Sequence, residues 1–176
     1  MKKISTLLLI TTASLVFSGC ATVQSIIKST FPYTATIIIP ASAKSNTPIS
    51  ATSSATSIDE VFGNQNGNNY VKEVRIASAK MVAINPSDKS LGMFKSVKVY
   101  ISNSATSQEI MVASRNDVQE NIGSDLVLDI DNSRFVDDYI KGGSLRIRLE
   151  YVLRNSTTMD VSVRTSLSFI SSPNIQ

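Results

Sequence analysis

Residues 144–154 read SLRIRLEYVLR, and apolar and charged side chains alternate through this stretch. Successive side chains of a β-strand point to opposite faces of a sheet, so a two-residue period is typical of a strand with one buried face and one solvated face. The apolar positions are Leu145, Ile147, Leu149, Tyr151 and Leu153, and the charged ones are Arg146, Arg148, Glu150 and Arg154. The stretch therefore predicts an amphipathic strand.

The apolar stretch that follows, residues 159–169, has the same period. Its apolar positions are Met159, Val161, Val163, Leu167 and Phe169. Residues 154–158, Arg-Asn-Ser-Thr-Thr, have the composition of a turn. We therefore expect the two stretches to pair as a long antiparallel hairpin.

The solvated face of this predicted hairpin is a candidate anion-binding face. Arg146, Arg148 and Arg164 would form a row on it, and guanidinium groups bind phosphate well. Headgroups of lipids, lipopolysaccharide or another polyanion would be the ligand. Glu150 and Asp160 share the face, so the alternative is an ordinary solvated surface of mixed charge.

Further strands are indicated by the same reasoning. They cover residues 33–39, 49–55, 71–84, 94–101, 109–113 and 126–130. Seven or eight short strands separated by turns predict an all-β fold, an antiparallel β-sandwich in a single domain. The long stretch 71–84 does not alternate cleanly, because Lys80 would share a face with Val74 and Ile76, so we expect a β-bulge near residues 77–79.

Two short helices are expected between the strands. A capping box at residues 57–60 predicts one or two helical turns that end at Gly63. A second helix is predicted over residues 134–141, with Asn132 or Ser133 as its N-cap and two glycines after it. This helix should cover one end of the sandwich.

The residue types that are missing argue against catalysis. The chain has no His, no Trp and a single Cys. Without His, neither a Ser-His-Asp nor a Cys-His nucleophile system can be built, and no His-ligated zinc site is possible. We expect a non-catalytic protein without a metal or other cofactor. The absence of Trp also counts against a module that stacks sugars on indole rings.

Carboxylates offer the alternative, a calcium-dependent ligand-binding protein or a carboxylate-based hydrolase. Asp129, Asp131, Asp137 and Asp138 would be its residues, since Ca²⁺ takes about six to eight oxygen ligands. The simpler interpretation is that Asp129 faces solvent, that Asp131 or Asn132 caps the next helix, and that acidic residues occupy the first turn of that helix.

The first 20 residues read MKKISTLLLITTASLVFSGC, which ends at the only cysteine of the chain. A cationic start, a short apolar middle and small residues before a break are the parts of a secretory signal, and the apolar run is shorter than the ~20 residues needed to span a bilayer. We expect residues 1–19 to be a cleaved leader, 20–30 a tether and 31–176 the sandwich domain.

Removing Lys2 and Lys3 from the 17 basic residues leaves 15 basic residues against 14 acidic ones. This nearly neutral balance argues against a nucleic-acid partner.

Residues 17–20, Phe-Ser-Gly-Cys, resemble the lipobox of bacterial lipoproteins. The resemblance implies that Cys20 receives a diacylglyceryl group, that cleavage occurs before it and that the new amino terminus is acylated. Several acyl chains together hold a protein stably on a membrane. Residues 21–24 lack the aspartate of the enterobacterial retention signal, which implies attachment to the outer membrane, facing the periplasm. We expect the partner to be an envelope protein.

Three segments, residues 70–84, 93–102 and 137–143, also resemble a group of bacterial lipoproteins of unassigned activity. The shared features are an Asn-Pro turn after a strand, Phe94-Lys95-Ser96 at the start of the next, and an Asp-Tyr-Ile-Lys-Gly helix. The resemblance implies an immunoglobulin-like β-sandwich in the cell envelope. It supplies no functional residues.

Overall fold

The computed structural model describes residues 30–57, 71–104, 106, 108–141 and 144–173. The leader, Cys20 and the tether up to residue 29 lie outside the described residues. So does most of the first predicted helix, from residue 58 onward.

The described residues form two antiparallel sheets packed face to face. The four-stranded sheet has the order β1-β10-β4-β7, and the six-stranded sheet has the order β2-β9-β5-β6-β8 with β3 beside β9. The strands are β1 (Phe31–Ile39), β2 (Pro48–Thr52), β3 (Thr56–Ser57), β4 (Val71–Asn85), β5 (Phe94–Asn103), β6 (Glu109–Arg115), β7 (Asp125–Val127), β8 (Asp129–Ile130), β9 (Ser144–Leu153) and β10 (Val161–Pro173). The prediction of an all-β antiparallel β-sandwich is confirmed.

The strand order refines the immunoglobulin-like expectation. In an immunoglobulin sandwich the first two strands share a sheet, whereas here β1 and β2 belong to different sheets. The chain crosses repeatedly between the sheets, and the last long strand, β10, lies beside the first. This is the arrangement of a jelly roll, two interlocked Greek keys in two sheets.

The core lies between the inner faces of the two sheets. All five apolar positions of the 144–154 stretch are buried, as its alternation predicts. The ring of Phe94 meets that of Tyr151 edge-on with centroids 5.5 Å apart. Tyr33 spans the sandwich, since its hydroxyl donates a 2.7 Å hydrogen bond to the carbonyl of Leu145 in the opposite sheet.

The predicted hairpin between residues 144–154 and 159–169 is wrong. β9 belongs to the six-stranded sheet and β10 to the four-stranded sheet, so the intervening residues 154–160 cross from one sheet to the other. Seven residues easily span the ~10 Å between packed sheets. Both strands bury one face against the same core, so their alternation is the same whether they pair or lie in opposite sheets.

The expected bulge is confirmed. Ser168 lies opposite Ser78 and Phe169 lies opposite Ile76, which leaves Ala77 as the extra residue. A second irregularity follows at Glu73, whose φ of 55° is in the left-handed region. It falls in the register shift between the Arg75–Ile170 and Lys72–Ser172 pairs, and β4 stays paired with β10 as far as Val71.

The second helix is shorter than predicted. One turn forms, α1 (Asp137–Ile140), and its N-cap is Val136, so the prediction of Asn132 or Ser133 as the cap is wrong. The reason is a tertiary contact, since the backbone N–H of Val136 donates a 2.8 Å hydrogen bond to the carbonyl of Val74 on β4. This bond holds residues before α1 against the strand rather than in a helix.

The sandwich has two dissimilar ends. At the entry end, β1 begins, β4 begins, β10 ends and α1 packs against β4. At the far end lie the loops 40–47, 86–93, 116–124 and 154–160, with the 3-10 helix Leu91–Met93 in the second of them. The first described residue, Thr30, directly precedes β1 and therefore lies at the entry end.

Candidate functional site

The arginine network occupies the outer face of the six-stranded sheet, and Arg148 is its centre. Its Nε and Nη2 donate to the two carboxylate oxygens of Glu109 at 2.9 and 2.7 Å, and its Nη1 donates to Ser50 Oγ at 2.9 Å. The guanidinium lies 4.0 Å above the ring centroid of Tyr100. The hydrogen bond to Glu109 raises the pKa of Arg148.

A second carboxylate and a second cation complete the network. Lys98 Nζ lies 2.9 Å from Glu150 Oε1, and Arg148 Nη1 lies 3.6 Å from Glu150 Oε2. The bond from Lys98 lowers the pKa of Glu150, and the same bond raises the pKa of Lys98. Two cations face two carboxylates, so an anion would have to displace Glu109 or Glu150 to reach Arg148.

The three arginines of the predicted anion-binding face do not share a face. Arg146 and Arg148 project from the outer side of β9, whereas Arg164 is exposed on the outer side of β10 in the opposite sheet. Arg164 pairs in register with Thr36 and Val82. The prediction of a row of three guanidiniums is wrong, because it depended on the hairpin that does not form.

Three of the four carboxylates of the calcium-dependent or hydrolase alternative are engaged separately, and the fourth, Asp138, is exposed. Asp129 forms an ion pair with Arg115 at 3.3 Å. Asp131 accepts hydrogen bonds from the hydroxyl and the backbone N–H of Ser133 at 2.6 and 3.1 Å, and these bonds lower its pKa.

The remaining two carboxylates belong to α1. Asp137 accepts from the N–H of Val74 at 2.8 Å and pairs with Lys141 at 3.0 Å, while Asp138 is exposed on the same turn. Within the described ranges, no three His, Cys, Asp or Glu residues come together as a possible metal site. Asp131 and Asp137 thus brace local backbone, and Asp129 pairs with a neighbouring side chain.

The far-end depression is a polar hollow of about 300 Å³ between three of the far-end loops. It is lined by Lys89, Ser90, Gly92, Met93, Glu120, Arg154, Asn155, Ser156 and Thr157. Ligand sites usually occupy such hollows and combine shape with a few convergent polar groups. This depression is therefore a candidate binding site.

Arg154 fastens the walls of the far-end depression. Its Nε donates to the carbonyl of Gly92 at 3.1 Å and its Nη2 donates to the carbonyl of Val118. Its Nη1 lies 3.6 Å from Glu120 Oε1, and its backbone N–H donates to the carbonyl of Met93 at 2.8 Å. One side chain thus joins three loops that are far apart in the sequence.

Gly92 and Ser90 bring two of these loops into direct contact. A Cβ at position 92 would lie 1.9 Å from the carbonyl oxygen of Glu120, so only glycine permits this approach. Ser90 Oγ accepts from the N–H of Gly92 at 3.1 Å and donates to the carbonyl of Glu120 at 3.2 Å. The floor of the depression is therefore rigid, while Lys89, Asn155 and Ser156 on its rim remain available for a polar ligand.

Local sequence patterns do not predict this depression. The only local signal was the Asn85-Pro86 turn before residues 89–92, and nothing in the sequence indicates that these residues lie beside residues 120 and 154–157. Only the crossing of β9 to β10 between the sheets brings them together.

No helix in the described part of the chain is long and apolar enough to cross a bilayer. The strand order and the far-end depression define a class: a jelly-roll β-sandwich with a polar hollow among the loops at one end.

No protein-family model matches the chain, and no curated protein matches it. Several solved structures are similar. One is a variant of CBM29-2, a family 29 carbohydrate-binding module, complexed with cellulohexaose; it is 10% identical with a TM-score of 0.35, over 81% of this chain and 79% of that chain. Another is the empty head of turnip yellow mosaic virus, 10% identical with a TM-score of 0.31, over 84% of each chain. The Desmodium yellow mottle tymovirus structure is 10% identical with a TM-score of 0.29, over 84% of this chain and 89% of that chain. These likenesses concern the fold alone.

Proposed function

We propose that this is a non-catalytic, lipid-anchored protein of a bacterial cell envelope, which binds an envelope protein through its far-end loops. The observation that carries the proposal is the leader of residues 1–20, which ends in the only cysteine of the chain. In this proposal Cys20 carries the lipid and holds the sandwich on the outer membrane, facing the periplasm.

The position of β1 in the sequence is consistent with a short tether between Cys20 and the domain. Ten residues, 21–30, separate Cys20 from Phe31, where β1 begins. Fully extended, ten residues reach about 35 Å. The sandwich would therefore stay within roughly its own length of the membrane, with its entry end toward the anchor.

The chemistry of the side chains supports a binding role rather than catalysis. The chain has no His, and Asp129, Asp131 and Asp137 are each paired with a local cation or backbone group, while Asp138 is exposed. An acid and a base need to converge on one reacting group. The far-end depression instead combines a rigid floor with a polar rim, which suits recognition of a polar group on a partner.

The anchoring part of the proposal is tested by intact-mass spectrometry of the protein extracted from its own envelope. We expect cleavage before Cys20 and the added mass of the acyl chains. A Cys20→Ser variant should lose that mass and leave the membrane fraction, whereas the control Ser25→Ala should retain both. A free sulfur at Cys20, or a leader still attached, would refute the proposal.

The binding part is tested by photo-crosslinking in intact cells. A crosslinking amino acid at Ser156, exposed on the rim of the far-end depression, should capture a defined envelope protein. The control position is Thr34, which is equally solvent-facing but lies on the outer face of the four-stranded sheet. The same products from both positions, or none from Ser156, would contradict binding at the far end.

A further inference from the structure

The entry end carries an exposed apolar patch that the proposed partner site does not use. Phe135 is 50% exposed and Ile170 is 44% exposed, although both are large hydrophobic side chains. They border a depression of about 320 Å³ that is also lined by Glu73, Arg75, Ser171 and Ser172. We name Phe135, Ile170 and Arg75 the entry-end patch.

The entry-end patch is held in place by tertiary contacts. The Arg75 guanidinium lies 4.0 Å from the ring centroid of Phe135, and its Nη1 donates a 2.6 Å hydrogen bond to the carbonyl of Asn132. Ile170 lies opposite Arg75 in the pairing of β10 with β4. A folded sandwich therefore presents the patch in a fixed arrangement.

The patch lies next to the point where the tether enters the domain. Phe31, the first residue of β1, pairs with Phe169, the neighbour of Ile170 on β10. Adjacent strands are about 4.8 Å apart, so the tether reaches the domain one strand away from the patch. A surface that holds Cys20 is thus within reach of Phe135 and Ile170, since ten extended residues span about 35 Å.

These observations assign one occupant to the patch. We propose that Phe135 and Ile170 rest on the phospholipid surface to which Cys20 is anchored, with the Arg75 guanidinium, which lies over the Phe135 ring, at the level of the headgroups. This inference rests on the proposed lipid anchor. Exposed Phe and aliphatic side chains with a neighbouring Arg are suited to the boundary between headgroups and acyl chains.

The tether makes so small a patch sufficient. Two side chains would not hold a free protein on a bilayer, but a ten-residue tether turns their contact into an intramolecular event at high effective concentration. Lys72 and Arg134 near the patch are accompanied by Glu73, so the local charge is mixed and the contact should persist at high salt. The far-end depression would then point away from the membrane, toward the partner.

The test uses the absence of Trp from the chain, which makes one introduced Trp the only indole reporter. Phe135→Trp reports on the entry-end patch. Met159→Trp is the matched control, because Met159 is 51% exposed but lies in a far-end loop. Each lipidated protein is reconstituted in phosphatidylcholine vesicles with and without lipids brominated near the glycerol backbone, at low and high salt.

We expect brominated lipid to at least halve the emission of the Phe135→Trp protein and to leave that of the Met159→Trp protein unchanged. Ile170→Trp should behave like Phe135→Trp, which covers the case in which one substitution disturbs folding. If mass spectrometry shows acylated Cys20 but no variant is quenched, or all are quenched equally, the membrane contact is refuted and the lipid anchor stands. If Cys20 carries no lipid, both proposals fall.

Discussion

The two ends of this sandwich differ in how their chain segments are joined. At the far end, Arg154 links three loops and Gly92 lets two backbones touch, so the polar groups of the floor are satisfied internally. At the entry end, the backbone of Val74 bonds to Asp137 and to Val136 and holds α1 against β4, but Phe135 and Ile170 remain exposed. The far end presents polar groups around a depression, and the entry end presents two exposed apolar side chains. Our two proposals therefore assign a different partner to each end.

The largest effect should come from Gly92→Ala at the far end. The added Cβ would overlap the Glu120 carbonyl oxygen at 1.9 Å, and backbone must move to relieve it. We expect a loss of about 3 kcal/mol in the free energy of unfolding. The matched control is Gly123→Ala, which has a φ of 80° but no atom within 4 Å of the new Cβ, and should cost about 1 kcal/mol from backbone strain alone. Equal losses in urea denaturation would show that the two loops are not in close contact.

Arg154→Ala should cause the next largest loss in the free energy of unfolding. It removes charged hydrogen bonds to the carbonyls of Gly92 and Val118, and we expect a loss of about 2 kcal/mol. Arg146→Ala is the control, because Arg146 is an exposed arginine on β9, outside the far-end loops, and should change stability by less than about 0.5 kcal/mol. Similar losses from both variants would contradict the role of Arg154 in joining the far-end loops.

At the entry end, Asp137→Asn should have a smaller effect. The variant keeps an oxygen that can accept from the N–H of Val74 but loses the charge that strengthens this bond and pairs with Lys141. We expect a loss of about 1 kcal/mol, measured by thermal unfolding. Asp138→Asn, on the exposed side of the same turn, should be nearly neutral. If Asp137→Asn lowers the free energy of unfolding as much as Arg154→Ala does, the entry end is held together as strongly as the far end, which would contradict the comparison.

The smallest effect concerns the arginine network, which lies between the two ends. The hydrogen bond from Lys98 lowers the pKa of Glu150 in the folded state, so the folded carboxylate binds a proton less readily than the unfolded one. Its contribution is complete above the ordinary value of 4.5 and is lost as the pH falls through the folded-state pKa. We expect stability to fall less steeply between about pH 5 and about pH 3 in Glu150→Gln than in the parent protein. Identical slopes in denaturant titrations would contradict this.

Much of the fold could be predicted from local pattern. The alternation in residues 144–154 identified β9 and its buried face, and the broken alternation near Lys80 located the bulge at Ala77. Both signals are local, because strand geometry imposes a two-residue period on any half-buried strand. The pairing of β9 was not predictable in the same way, since alternation is identical for a hairpin partner and for a strand of the opposite sheet.

The sites were less accessible to sequence reasoning. Arg148 was identified as exposed, but its engagement by Glu109 depends on the pairing of β9 with β5 and of β5 with β6. The helix before β9 was predicted too long because Asn132 or Ser133 offers a suitable N-cap, whereas the backbone of Val136 instead bonds to that of Val74 on β4. Lipid attachment at Cys20 stays a prediction.

By itself, the sequence determined most of the strands, the buried face of those that alternate clearly, and which catalytic mechanisms lack the necessary side chains. These properties depend on residue type and on spacing along a few neighbouring positions. Only the tertiary structure decided that the strands follow a jelly-roll order, that Arg164 lies on the opposite face from Arg148, and that residues 89–92 meet residues 120 and 154. Such contacts join segments tens of residues apart, and local periodicity holds no information about which amphipathic strand meets which.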